Sequence, residues 1–349
     1  MTIFSVGESV GGHHQGWGTM YLSQFGLRAR PFRTTPDVDG YYPATTHERA
    51  LAELTRGLND DEGVMLLQAD PGLGKTLLAH RLIEGLPAKT RSAFLTHGAF
   101  QNRADLLQAI LFDLDLPYQE LSEQELRLSL LESCLEHFRT GGRTVMLIDE
   151  AHLLPAGMFE ELRLLSNLEG KQGKAVQIIL IGLPRMAETI ELPGLEVLRQ
   201  RLSVCAKLAP LDANESADYL LHQLRRCGGR PEKLLGEDVL DIISHACKGV
   251  PRFLNQAAHL AFSLTEEAGS TQVDAEAAVE AVSRLGLDES AGPSQLQVAL
   301  ELAAEPMPPV KPRDEGPPVY VYGGGPGIDE RLLDPKVARS WQTQPSRAG

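Results

Sequence analysis

Apolar residues in this chain fall into two patterns. Short unbroken blocks, among them Val64-Met65-Leu66-Leu67, Val145-Met146-Leu147-Ile148 and Ile178-Ile179-Leu180-Ile181, punctuate residues 60–210. Blocks of this length suit strands buried on both faces of a parallel sheet. They predict strands near 63–68, 92–96, 144–149, 176–181 and 203–208. Between them, apolar positions recur at helical spacing and predict helices near 75–85, 102–114, 122–139, 156–168 and 194–201. The alternation predicts an α/β, doubly wound parallel sheet. After Pro210 the blocks stop. Asp212, Gly236–Asp238 and Val250–Pro251 each precede helical periodicity, so residues 211–285 read as a small all-helical domain. Ahead of the first strand, Pro31, Pro36 and Pro43 break up an extended segment. Thr46 is placed to cap a helix that carries Ala50, Leu51, Leu54 and Leu58 on one stripe.

The ends follow neither pattern. Residues 1–19 are rich in Gly and His and lack the apolar centre of a signal peptide. They read as a disordered leader, with Met20 as the expected natural start. Residues 286–349 hold nearly half of the 22 prolines and the run Gly323-Gly324-Gly325, so a disordered tail is expected. Within it, Val319–Tyr322 is a short β-prone run. The resulting partition is 1–19 leader, 20–210 α/β domain, 211–285 helical domain and 286–349 tail.

The formal net charge is −14, which argues against a broad DNA-coating surface. Arg225, Arg226 and Arg230 form the dense basic cluster of the helical domain and read as a solvated face. No apolar stretch approaches a membrane span, so no direct membrane insertion is expected. Cys134, Cys205, Cys227 and Cys247 have no close pairing and read as buried small hydrophobes of a reducing compartment. Together these features predict a cytoplasmic protein.

The chemistry concentrates in two strings. Ala69-Asp70-Pro71-Gly72-Leu73-Gly74-Lys75-Thr76, followed by Leu77, lies between the first strand and a helix. That is the context of a phosphate-binding loop of the form G-x-x-x-x-G-K-[ST], a P-loop, with Ala69 standing at the first glycine. Residues 70–77 would surround the phosphates of a bound nucleotide with backbone N–H groups at a helix N-terminus. Lys75 would reach the β- and γ-phosphates and the Thr76 hydroxyl would bind Mg²⁺. Alanine fits the first position only with a negative φ. The second string, Asp149-Glu150, ends an apolar block, and ligands in parallel sheets bind beyond the carboxyl ends of strands. Asp149 is the candidate Mg²⁺ ligand and Glu150 the residue that polarises the attacking water. His152 completes Asp-Glu-Ala-His and reads as a contact at the start of the next helix rather than a base.

A phosphate-loop sheet followed by a small helical domain resembles the AAA+ ATPases. The opening Met20-Tyr21-Leu22, Phe25-Gly26-Leu27, Pro31-Phe32 and Thr35-Pro36-Asp37, then His47-Glu48-Arg49-Ala50-Leu51, resembles more closely the general secretion pathway protein A, or ExeA-like, family. The similarity spans roughly residues 20–285. Transposition helpers of the MuB and TniB type and origin-recognition ATPases are related branches. The resemblance implies a P-loop NTPase fold with a helical lid, ATP hydrolysis, homo-oligomers and action on a protein partner complex. It implies that Arg201, with Arg199 as alternative, acts on a neighbouring subunit's ATP. It also implies that Arg252, in Gly249-Val250-Pro251-Arg252-Phe253-Leu254-Asn255, contacts the phosphates from the lid. Tyr42, Pro43 and His47 are candidates to frame the adenine. One position departs from the family: Leu183 stands where Gly-Gln-Pro is frequent, and leucine offers no hydrogen bond to a phosphate or water. Slow hydrolysis and ATP-gated DNA binding form the alternative function. A soluble adaptor working through the tail is a third.

Overall fold

A computed structural model describes residues 21–171, 173–191 and 195–287. The expectations for the leader and for the tail beyond Leu287 lie outside these residues. α1 (Thr45–Asn59) leads into β1 (Val64–Gln68), α2 (Lys75–Glu84) and β2 (Thr90–Leu95). α3 (Arg103–Asp113), α4 (Glu123–Arg139) and β3 (Arg143–Ile148) follow, then α5 (Ala156–Leu165). A small hairpin, β4 (Glu169–Gly170) and β5 (Gly173–Lys174), precedes β6 (Val176–Gly182), α6 (Met186–Ile190), α7 (Glu196–Arg201) and β7 (Leu202–Lys207). The main sheet has five strands in the order β2-β3-β6-β1-β7, and every pairing is parallel.

The side-chain period of two divides each central strand between two cores. Val64 and Leu66 of β1, Met146 and Ile148 of β3, and Ile178 and Leu180 of β6 pack against α3, α4 and α5. Met65, Leu67, Val145, Leu147, Ile179 and Ile181 pack on the other face against α1 and α2. All five residues of β1 and all seven of β6 are buried. This double burial is why the strands read as unbroken apolar blocks. β7 is one of the two edge strands, and its Cys205 is exposed rather than buried as expected, while the other three cysteines are buried and all four are free.

The helical unit comprises α8 (Ala213–Arg226), α9 (Pro231–Leu234), α10 (Glu237–Ala246), α11 (Pro251–Glu267) and α12 (Ala275–Arg284). Its core holds residues from far upstream. Tyr21, Phe25 and Phe32 surround Phe262 of α11, with ring centroids 5.5, 4.9 and 5.6 Å away. The N-terminal arm, counted from the sequence with the α/β domain, therefore buries its aromatic side chains in the helical unit. Asn255 fastens it further by donating to the Arg33 carbonyl at 2.6 Å. Phe262→Ala is expected to destabilise the protein by about 3–5 kcal/mol, the range for emptying a buried aromatic site. Urea unfolding measures it, and a loss near zero would mean the arm is not packed on α11 in solution.

Thr46 does not cap α1. The cap position is Ala44, two residues earlier, and the Thr45 N–H donates to Glu215 Oε1 of α8 at 2.8 Å. The same carboxylate closes the capping box with Asp212 at the head of α8. One side chain thus ends two orphan N–H problems, one in each unit.

Candidate nucleotide site

The turn from β1 into α2 has the backbone that a phosphate loop requires. Gly72 and Gly74 take φ of 83° and 90°. Ala69 is not among the residues with positive φ, so the condition set by its side chain is met. Leu73 is buried beneath the loop. Its carbonyl accepts a hydrogen bond from His47 Nε2 at 2.8 Å. Burial pushes the His47 pKa down, so the ring is neutral and Nε2 carries the proton. His47 is a brace for the loop. Tyr42 packs instead on Tyr219 and His222 of α8. The first helical bond of α2 runs from the Leu78 N–H to the Gly74 carbonyl, so the N–H groups of Gly74, Lys75, Thr76 and Leu77 have no acceptor within the helix.

Lys75 is buried, and its Nζ donates to the carbonyls of Ala69 at 3.0 Å and Asp70 at 3.3 Å. Burial lowers its pKa, opposed by the nearby carboxylates of Glu150 and Asp149. The register of β3 with β6 pairs Ile148 with Leu180, and that of β1 with β6 pairs Gln68 with Gly182. Asp149 and Glu150 therefore emerge beside the loop. Asp149 is buried, and its Oδ2 accepts the Thr76 hydroxyl at 2.5 Å. A hydroxyl and a carboxylate side by side are the hard oxygen donors that Mg²⁺ takes alongside phosphate and water. Among the described residues no three His, Cys, Asp or Glu gather as a metal site.

Glu150 has φ 51° and ψ 33°, a left-handed backbone unusual for glutamate. Its N–H donates to Asp149 Oδ1 at 2.9 Å and its carbonyl accepts from Leu153. Sequence reasoning missed Gly98, which makes this conformation possible: a Cβ there would lie 2.4 Å from the Glu150 carbonyl oxygen. Burial raises the Glu150 pKa, with Asp149 adding to the effect and Lys75, Arg252 and Arg185 opposing it.

The helical unit reaches the loop through α11. The Arg252 N–H donates to the Gly72 carbonyl at 3.3 Å, and Cβ of Arg252 would stand 3.0 Å from a side chain at Gly72. The preceding Gly249 has φ 71°, and a Cβ there would fall 1.9 Å from the Leu211 carbonyl oxygen, so no other residue fits the signature's first position. Arg201 and Arg199 are not brought to this site. Both are exposed, Arg201 donating to Asn167 and Arg199 pairing with Glu191 at 3.1 Å. Of the basic cluster on α8, Arg225 pairs with Glu232 and Arg226 with Asp37, at 3.2 and 3.1 Å.

Residues 58–190 match the family described as AAA domain. Over 286 residues the chain is 34% identical to General secretion pathway protein A of Aeromonas hydrophila, covering 80% of this chain and 52% of that protein. Residues 58–190 thus carry an AAA domain, and the sheet with its helical unit has the AAA+ P-loop NTPase fold. The AAA+ assignment extends to a second relative, the Holliday junction branch migration complex subunit RuvB of Myxococcus xanthus (strain DK1622), 25% identical over 76% of this chain and 69% of that one. The solved structure of Drosophila ORC bound to DNA shares the AAA+ fold, with a TM-score of 0.57 at 15% identity over 85% of this chain and 73% of that chain. The chain spans about half the length of its secretion relative. No helix among its described residues is long and apolar enough to cross a membrane.

Proposed function

We propose that the chain binds Mg·ATP at Asp70–Leu77 and hydrolyses it, as a homo-oligomer, to drive assembly or remodelling of a partner protein complex. The observation that carries this reading is the contact of Thr76 with Asp149 at 2.5 Å, at the head of α2 and beside buried Lys75. In this arrangement Lys75 leaves its carbonyl partners for the phosphates, which removes little because those bonds only hold it in place. Thr76 and Asp149 would hold Mg²⁺, which would supply positive charge against the charge developing on the leaving group. Glu150 orients a water for in-line attack and accepts its proton; the raised pKa makes it a better acceptor than an exposed carboxylate. Arg252 answers phosphate charge from the lid, which ties closure of the helical unit to the nucleotide. Arg201 acts on the ATP of a neighbouring subunit.

The alternative is an ATP-gated DNA-binding helper with slow turnover. The likeness to RuvB, a subunit of a Holliday junction branch migration complex, favours it. The net charge of −14 and the pairing of Arg225 and Arg226 with carboxylates weigh against it. Turnover per subunit measured against protein concentration, with and without duplex DNA, separates the two. A rate that rises with concentration and ignores DNA is expected. Stimulation by DNA that weakens as salt rises, as counterion release requires, would favour the helper. No turnover at any concentration would refute hydrolysis as the output of the site.

A further inference from the structure

His152 is a buried polar group that the proposed chemistry leaves unused. It sits in the short turn Ala151–Leu153 after β3, with a side chain only 1% exposed. Neither ring nitrogen has a hydrogen-bond partner. Nearly all buried polar side chains in folded proteins are paired, so an imidazole sealed in without a partner calls for an account. The ring faces two parts of the site. Nε2 stands 3.4 Å from Glu150 Oε2, just beyond good hydrogen-bond geometry. On the other side it lines the end of β6: a Cβ on Gly182 would lie 3.5 Å from Nδ1 and 3.4 Å from the His152 N–H nitrogen. Gly182 immediately precedes Leu183, the residue that cannot hydrogen-bond.

We propose that His152 is a positioning residue for Glu150, supplying from the turn after β3 the polar contact that Leu183 does not supply from the end of β6. This deepens the proposed function and rests on Glu150 as the group that handles the water. Burial, with the positive charges of Arg185 and Lys75 nearby, holds the His152 pKa down at about 4, so the ring is neutral in ordinary buffers. A neutral imidazole has one N–H donor and one acceptor. With the proton on Nε2, the ring donates to the Glu150 carboxylate after a small side-chain adjustment and directs the carboxylate's other oxygen to the water. No charge is added to a carboxylate that must remain basic enough to take a proton. A lysine or arginine in this place would pair with Glu150 and weaken it as a base. The fixed backbone of Glu150, set by its left-handed φ and by Gly98, leaves the side-chain rotamer as the freedom that His152 restricts.

The test is ATP binding and steady-state turnover for four proteins: native, Glu150→Gln, His152→Leu and His152→Gln. Leucine fills the site without a donor, whereas glutamine carries an N–H close to the place of Nε2. His152→Leu is expected to bind ATP as the native protein does and to lose about tenfold or more in kcat, the scale of a misplaced reacting group. His152→Gln is expected to recover most of that loss. A kcat loss with unchanged affinity, rescued by the donor-bearing variant, is not what a packing defect gives. Native turnover in His152→Leu, or equal losses in both variants, would overturn the inference while leaving the site reading intact if Glu150→Gln is inactive. Native turnover in Glu150→Gln would instead sink the site reading. If His152→Leu does not fold, His152→Gln decides alone: turnover within about twofold of native supports the role, and a tenfold fall with ATP still bound rejects it.

Discussion

Glu150→Gln is expected to bind ATP as tightly as the native protein and to lose turnover by about 10²-fold or more, the usual contribution of a positioned acid–base group. Glutamine has the same shape, so the left-handed backbone and its bonds to Asp149 and Leu153 survive the change. What it removes is a carboxylate that can take the proton of an attacking water. Lys75→Ala is the contrasting variant. Lys75 is buried at the head of α2, and its removal takes the positive charge from the place where phosphates must lie. It is expected to abolish nucleotide binding itself. Binding of a fluorescent ATP analogue, paired with phosphate release, reads both steps. Weak binding in Glu150→Gln would reassign Glu150 from the water to the nucleotide, and native turnover would remove it from the chemistry.

The parts of this molecule that were legible in the sequence are those whose physics is local. The loop and the start of its helix occupy nine consecutive residues, from Ala69 to Leu77, and the Asp149–Glu150 pair follows an unbroken apolar strand. The strands were legible because burial on both faces removes the alternation that would have hidden their ends. What escaped depends on contacts between distant positions. Glu215 caps α1 from 170 residues away, so Thr46 looked like the cap although Thr45 opens the helix. The arm at Tyr21–Phe32 shows apolar residues but not their destination, and Phe262 alone gives no hint of them. Gly98 carries no motif and matters through its distance from the Glu150 carbonyl; His152 was legible as the last residue of Asp-Glu-Ala-His, but its burial without a hydrogen-bond partner was not. The β4–β5 hairpin is two residues wide on each side and polar, too short for any period to register. Cys205 was misread because it lies on an edge strand, where one face is open.

Arg201→Ala is expected to lower turnover by about 10³-fold or more, the scale of an arginine supplied to a transferring phosphoryl group, with ATP binding retained. Two readings of this arginine make opposite forecasts. Arg201 ends α7, where a cation favours the helix dipole, and it donates to Asn167. If that local role were the whole of it, the change would cost about 0.3–1 kcal/mol of stability and no activity. The trans role draws on other facts. Arg201 is exposed, it is not among the charges acting on Lys75 or Glu150 of its own chain, and its bond to a neutral amide is easily exchanged for phosphate. Mixing separates the readings without ambiguity. Arg201→Ala keeps an intact loop and lacks the arginine, whereas Lys75→Ala lacks the loop lysine and keeps the arginine. Each is expected to be inactive alone. In equal mixture, about a quarter of head-to-tail interfaces join a good loop to a good arginine, and activity returns in proportion. An inactive mixture, despite co-assembly shown by size-exclusion chromatography, would place the arginine's action within its own chain or outside the reaction. Arg199→Ala in the same mixture then tests the second candidate.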